Sequence, residues 1–333
     1  MRQVTHRALR RRQVRAFVTA GAVVAVAIAT SVPVHEAQAC GSCRGPGGAG
    51  SALTAPWQRW GVSMTETLRV GHGIFDQENR YRSFGPQSHD RVLEIAWAAA
   101  YRPIDAIEIG ATTAYGNVLV GGPSFRSGRG ALGDLGLRVR WEAIAEPAVD
   151  LPNGPRNPSL GLTLSVRVPT GRVDRSTDSG SSGPSPGTVG STATSQGLGT
   201  TEVAVAADVR KTFAARWQIG AVVEGALRAP DESIGIRRAL GPRGLARLMG
   251  IVFVGELTFG AFVDLAAEGN VDYDGRTSSL SSQRAFALGL SASLKTEVGL
   301  RAGLALNWIP PIDGLSSNAV AATGITTFLA FTR

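Results

Sequence analysis

Cys40 and Cys43 are the only cysteines in the chain, set as Cys40-Gly41-Ser42-Cys43. Such a pair closes a small local disulfide, exchanges as a thiol pair with a partner, or supplies half of a metal site. Arg44 follows where covalent haem attachment needs a histidine. No further cysteine or nearby histidine completes a zinc tetrahedron. Cu(I), which accepts few thiolate ligands, is the metal that suits the pair. A small disulfide is the simplest assignment, and the sequence implies no cofactor.

His72 and His89 stand near the two ends of one stretch, beside Asp76, Glu78 and Asp90. Hairpin pairing of Val70 with Arg91 would bring them close. They are weak candidates for a surface metal site, because solvated loop histidines are the ordinary case. A phospholipase-like barrel needs a serine and a histidine together on one outward face. Ser88 and His89 are adjacent, so on a strand they point to opposite faces. A rim protease needs carboxylate and histidine pairs from different strands, and no second pair supports His72 or His89. No G-x-S-x-G occurs. The chain reads as a non-enzyme.

The elements that hold these residues are strands. In Leu160–Gly171, Leu160, Leu162, Leu164, Val166 and Val168 share one face, and Gly161, Thr163, Ser165 and Arg167 the other. This is unbroken period-two alternation, and about ten residues cross a bilayer as a tilted strand. Eleven more candidates share the pattern. They are centred on Trp60–Val70, Leu93–Tyr101, Ile107–Tyr115, Leu135–Ala143, Val203–Val209, Trp217–Leu227, Met249–Gly255, Leu257–Leu265, Phe286–Leu294, Val298–Trp308 and Ile325–Phe331. The first stripe, Trp60, Val62, Met64, Leu68 and Val70, is broken only by Glu66. The eighth alternates weakly.

Connections alternate long and short. The long ones are Gly71–Asp90, Gly116–Ala131, Arg172–Gly199, Ala229–Leu248, Ala266–Arg284 and Ile309–Ala319. The short ones lie near Arg102–Asp105, Lys211–Arg216, Glu256 and Lys295–Glu297. Ile144–Asn157 departs from the alternation. Outer-membrane barrels have short periplasmic turns and long outer loops, whereas a soluble sandwich has no reason to sort its loops this way. Trp141 and Trp217 fall at short-turn ends, Tyr115 and Trp308 at long-loop ends, where interfacial girdles lie. The expected fold is an all-β, antiparallel up-and-down transmembrane barrel of about 12 strands.

Opposite the apolar stripes lie the candidate lumen residues Glu94, Glu108, Asp134, Arg138, Arg140, Glu142, Arg167, Glu202, Asp208, Arg210, Glu224, Asp264, Lys295 and Arg301, with Glu297 beside them. Both signs are present, with many small residues between, so the lumen is expected to be wet. A barrel of this size is narrow, and passage through it should be slow or loop-gated. The loop Arg172–Gly199 is rich in Ser, Thr, Gly and Pro, and reads as a solvated outer loop or a constriction folded inward.

The N-terminus reads as a targeting segment. Six arginines from Arg2 to Arg15 precede the apolar run Phe17–Val32, which is 16 residues long. A membrane helix needs roughly 20. Ala37-Gln38-Ala39 is a small-x-small cleavage site. The expected organisation is a cleaved signal peptide over 1–39, a flexible lead carrying the C-x-x-C over 40–56, and the barrel over 57–333. Cleavage leaves 294 residues, exported to the outer membrane of a Gram-negative bacterium. The net charge of +8 includes +5 from the leader, so the rest carries +3 and no footprint for nucleic acid.

Gly133-Asp134-Leu135 opens a strand, Pro169-Thr170-Gly171 ends one, and Leu198-Gly199-Thr200 restarts after a loop. In this order they resemble the outer-membrane proteins of the phenol-degradation meta-pathway family, across about Gly133–Arg228. Thr201 stands where that family usually has a second glycine. The resemblance implies an outer-membrane barrel associated with small, often aromatic or apolar, solutes. The motifs it rests on are structural and not catalytic. Barrels commonly end in an aromatic residue; here Phe331 is third from the end.

The leading reading is a monomeric outer-membrane barrel, set in outer-membrane lipid, that passes or binds small-molecule solutes. Two alternatives remain at this point. One is a scaffold holding a periplasmic protein partner through the C-x-x-C lead, and the other is a soluble periplasmic all-β domain.

Overall fold

The computed structural model describes residues 59–333 apart from 87, 123–124, 145–157, 172–198, 214–215, 234–235, 280 and 297. The expected leader, Cys40, Cys43, the loop after Gly171 and Glu297 therefore lie outside the described residues.

Twelve strands form the wall: β1 (Trp60–Phe75), β2 (His89–Ile104), β3 (Ile107–Gly122), β4 (Leu135–Ile144), β5 (Ser159–Val168), β6 (Glu202–Phe213), β7 (Trp217–Arg228), β8 (Arg243–Val254), β9 (Leu257–Glu268), β10 (Gln283–Lys295), β11 (Leu300–Trp308) and β12 (Val320–Thr332). Each pairs antiparallel with its neighbours in the chain. β12 returns to β1 from Gly61↔Thr332 to Ile74↔Val320, so the sheet closes and has no free edge. The two ends of the barrel are knotted together, with Arg59 N–H donating to Arg333 O at 2.7 Å and Arg333 N–H to Trp60 O at 3.0 Å.

Alternation in sequence becomes alternation in exposure. On β5, Leu162 and Leu164 are exposed while Ser165 and Arg167 are buried. The same holds across the seams, where Leu164 lies between the exposed Val139 and Val205. The apolar face points out and the polar face in, the reverse of a soluble core. Apolar surface on this scale is stable only against lipid. Trp60, Tyr101, Trp141 and Trp217 stand exposed at the short-turn end, and Tyr115 and Trp308 at the long-loop end.

Loop length sorts by end, as the sequence leads one to expect, except for the long connection from Ile144 to Ser159 at the short-turn end. Gly255 joins β8 to β9 at φ +62°, the left-handed conformation that a two-residue hairpin needs at its first position. The long connections hold more structure than expected. β1 runs past Val70 to Phe75, and Tyr81–Ser83 folds back against it. β3 runs on to Gly122 and pairs with Phe125–Leu132, so most of the expected loop Gly116–Ala131 is a hairpin standing above the wall. Asp231–Ser233, Ile236–Ala239, Asp272–Tyr273 and Arg276–Thr277 form a second small sheet from two loops. Its Asp274-Gly275 turn, at φ +50° and +78°, is a type I′ signal legible in the sequence.

The eighth strand begins at Arg243 and not at Met249, and its full length pairs with β9 from Arg243↔Glu268 to Val254↔Leu257. Its outward positions include Gly244, Ala246 and Gly250, too small to make an apolar stripe. Val298, expected to open the eleventh strand, is instead in the exposed turn before β11.

Above the β1–β12 seam the loops 76–88 and 309–319 are fastened together. Tyr81 N–H donates to Asp313 Oδ1 at 2.6 Å, and Gly314 N–H to Asn79 O at 2.9 Å. Beneath them Phe75, Ala285, Ala287, Ile309, Ala319 and Ala321 make an apolar cluster, with Tyr81 packed against it.

Candidate functional site

The site is the interior of the barrel. Every second residue of each strand points into it, so one strand places a column of side chains at intervals of about 6.6 Å. Two columns of opposite character result.

The charged column spans β2 to β9. Near the short-turn end, Arg102 on β2 donates to Glu142 Oε2 at 3.0 Å and to Glu108 Oε2 at 3.3 Å. Arg138 donates to the other oxygen of Glu108 at 3.1 Å. Arg140 grips Asp208 with two bonds of 3.1 and 3.0 Å, and Arg210 adds a contact to Asp208 at 3.4 Å. Near the long-loop end, Glu202 takes Arg228 at 2.7 Å and Arg243 at 3.4 Å. Arg228 also holds Glu268, and Arg243 also holds Glu224. One step deeper Arg247 binds Asp264 through Nε and Nη2 at 2.5 and 2.6 Å. Its guanidinium lies 4.4 Å from the Phe262 ring centroid. On the remaining side of this column, Arg69 meets Asp90 at 3.1 Å.

Most of these groups are buried. Glu108, Glu202 and Asp264 have no accessible surface, and Arg102 has 1%. Removing one partner of such a pair strands the other, which costs about 3–5 kcal/mol. The column is therefore a rigid, internally neutralised lattice.

The facing column, on β10, β11, β12 and β1, is built mainly of small and hydroxylated residues, with Arg301 on β11 and Arg69 on β1 as its inward charges. Ser63, Thr65 and Thr67 lie on β1, Thr326 on β12, Ser291 and Ser293 on β10, and Asn307 on β11. Thr67 and Thr326 hydroxyls lie 3.1 Å apart, and Asn307 Nδ2 donates to Thr326 Oγ1 at 3.4 Å. Two phenylalanines interrupt it. Phe328 is 2% exposed, and Phe262 on β9 fills the space over Gly289. A Cβ at Gly289 would stand 1.9 Å from the Phe262 ring, so the ring occupies that space because position 289 has no side chain.

The fourteen sequence candidates fall as follows. Glu108, Arg138, Arg140, Glu142, Asp208 and Arg210 meet in the first network. Glu202 and Glu224 meet in the second, with Arg167 directly opposite Glu202. Asp264 joins Arg247, and Glu94 is buried on the inner face of β2. Arg301 lies on the inner face of β11, and Lys295 is exposed at the short-turn mouth. Asp134 departs from its expected place as a lumen charge. It precedes β4 and accepts a hydrogen bond from Gly171 N–H at 2.9 Å, a tie between strand ends. Arg69, Asp90, Arg102, Arg228, Arg243, Arg247 and Glu268 were missed. Five of them needed only the alternation carried further: Arg102 and Asp90 share the parity of Glu94, Arg228 that of Glu224, Glu268 that of Asp264, and Arg69 that of Thr67. Arg243 and Arg247 were hidden by the late start assigned to the eighth strand.

His72 and His89 are not brought into a metal site. His72 Nε2 pairs with Thr323 Oγ1 at 2.8 Å, while the His89 ring lies against Gly121. Among the described residues no group of three or more His, Cys, Asp or Glu is placed to hold a metal ion.

No protein-family model and no curated protein sequence matches the chain. Among solved structures it is similar to an outer-membrane channel from Pseudomonas putida F1. The TM-score is 0.66 at 15% identity, covering 85% of this chain and 97% of that one. Weaker likenesses, both at a TM-score of 0.44, are to the translocator domain of the autotransporter NalP from Neisseria meningitidis and to a mutant of the monoaromatic hydrocarbon channel TodX. The first is 10% identical and covers 81% of this chain and 88% of that one; the second is 8% identical and covers 83% and 90%. The fold is that of a twelve-stranded outer-membrane channel, and such barrels belong to the bacterial outer membrane.

Proposed function

We propose that the chain is a non-enzymatic outer-membrane channel for small, uncharged solutes. One observation carries the reading: most interior arginines and carboxylates pair with each other, and the wall facing them, Arg69 and Arg301 apart, is small and hydroxylated. An ion entering this space would shed water without meeting an uncompensated countercharge. A neutral solute would meet the hydroxyls of Thr65, Thr67 and Ser293 and the rings of Phe262 and Phe328. Thr65, Thr326 and Phe328 are each 2% exposed or less, so a solute reaches these groups only when side chains move. The order Gly133-Asp134-Leu135, Pro169-Thr170-Gly171, Leu198-Gly199-Thr200 supports kinship with the phenol-degradation family, and so an aromatic solute such as phenol as the first to try.

Purified protein in liposomes tests this. Uptake of phenol or a pentose should exceed that of a charged solute of equal size, with small single-channel conductance in planar bilayers. Large ionic conductance would overturn the choice of solute. Absence of any flux, even after deletion of residues 172–199, would overturn the channel.

A further inference from the structure

Building on the channel reading above, we propose that Asn307 and the unfilled space over Gly324 form a lumen subsite for a neutral ring that carries a hydroxyl group. The subsite lies on one register row that crosses six strands of the wall. Met249 stands on β8, Phe262 on β9, Gly289 on β10, Asn307 on β11, Gly324 on β12 and Arg69 on β1. Neighbouring strands lie about 5 Å apart, so these inward positions make one continuous strip. It is apolar at its β8 end and polar at its β1 end.

The two glycines that flank Asn307 differ. The Phe262 ring fills the space over Gly289. Over Gly324 a Cβ would meet Asn307 Cβ at 3.7 Å and the Leu68 carbonyl oxygen at 3.8 Å, and nothing nearer. An aromatic ring and a small open space thus lie on either side of the same amide. Beyond Gly324, Arg69 meets Asp90 at 3.1 Å, so the strip ends in a pair whose charges already cancel.

The Asn307 amide is only half matched. Its Nδ2 donates to Thr326 Oγ1 at 3.4 Å, at the long end for such a bond. Its Oδ1 is sealed from solvent and has no donor among the described residues. A buried acceptor without a donor is destabilising, and native structures keep few of them. The rest of the side chain is partly exposed on the inner face. The terminal torsion of asparagine is soft, so a small turn presents the oxygen to the lumen. A solute hydroxyl supplies the missing donor there, while Phe262 and Met249 receive the apolar body of the ring. A hydrocarbon leaves the amide oxygen unmatched. A cation would shed water with no uncompensated carboxylate beside it.

Equilibrium binding to the full chain in lipid nanodiscs tests the proposal, read by fluorine NMR with empty nanodiscs as the blank. The probes are para-fluorophenol and para-fluorotoluene, which differ by a hydroxyl against a methyl group. The phenol should bind about tenfold more tightly than the toluene, the worth of one hydrogen bond to a buried acceptor. Asn307→Leu keeps the volume and removes the amide, so it should weaken the phenol about fivefold or more and leave the toluene within about twofold. Gly324→Val should weaken both probes by filling the space, and heat-modifiability confirms that each variant folds. Equal affinities in the parent chain, discrimination that survives Asn307→Leu, or binding untouched by Gly324→Val would each overturn the subsite. Flux in liposomes without this discrimination removes the subsite and leaves the channel, whereas discrimination without flux does the reverse.

Discussion

Asp134 and Gly171 tie the start of one strand to the end of the next. The Asp134 carboxylate accepts the Gly171 N–H at 2.9 Å, and Thr170 Oγ1 accepts the Leu135 N–H at 2.9 Å in return. A Cβ at Gly171 would stand 2.8 Å from Asp134 Oδ1 and 2.8 Å from the Gly133 carbonyl carbon. The tripeptides that stand 36 positions apart are thus two halves of one clasp at the long-loop rim.

Breaking this clasp should loosen the rim without unfolding the wall. Asp134→Ala is expected to cost about 1–2 kcal/mol, as loss of a partly exposed charge-assisted bond. Gly171→Ala should cost as much by steric conflict alone. Urea unfolding of the protein in lipid bilayers measures both. A Gly171→Ala chain as stable as the parent would show that the contact is not tight.

Leu164 and Arg167 stand on opposite faces of β5 and should respond oppositely to charge. Leu164→Arg places a guanidinium against lipid and should cost about 2–4 kcal/mol. Arg167→Leu should cost far less, because Glu202, directly opposite, keeps Arg228 and Arg243. Unfolding free energies in bilayers decide this. Equal losses would contradict the assignment of faces.

Phe262 should limit passage. Its ring fills the space over Gly289 and lies beneath Arg247. Phe262→Ala should raise the uptake of small neutral solutes several-fold in liposome-swelling assays. An unchanged rate would place the constriction elsewhere.

The loop 76–88 should be sensitive to acid. The Arg80 backbone N–H, with the side chains of Arg82 and Arg80, holds the Asp76 carboxyl below its ordinary value. A depressed folded value means that the contribution is complete above the unfolded carboxylate range, near pH 4, and is lost as pH falls through the lower folded value. Proteolytic nicking of this loop should therefore rise progressively as pH falls below about 4. Asp76→Asn should show the same nicking at neutral pH. A loop cleaved equally at pH 5 and pH 3 would remove Asp76 as its latch.

The sequence by itself determined the barrel. A strand has a period of two, so Leu160 to Val168 can present one continuous apolar face, and twelve such stretches with sorted loops admit few closed arrangements. It also placed most of the inward charges, because parity alone decides which side of the wall a residue faces. Parity says nothing about partners across the interior. Arg102 finds Glu142 at a separation of 40 residues, and Arg228 finds Glu268 at the same separation. Those meetings depend on the register between strands and on the curvature that closes the wall. Tertiary structure alone turned a list of charges into two neutralised networks, turned Asp134 from a lumen charge into a clasp, and set Phe262 over Gly289. Glu66 combined both sources of information. Its place in the apolar stripe was legible in the sequence, but its neighbour Thr327 came from the pairing of the first strand with the last, 261 positions away.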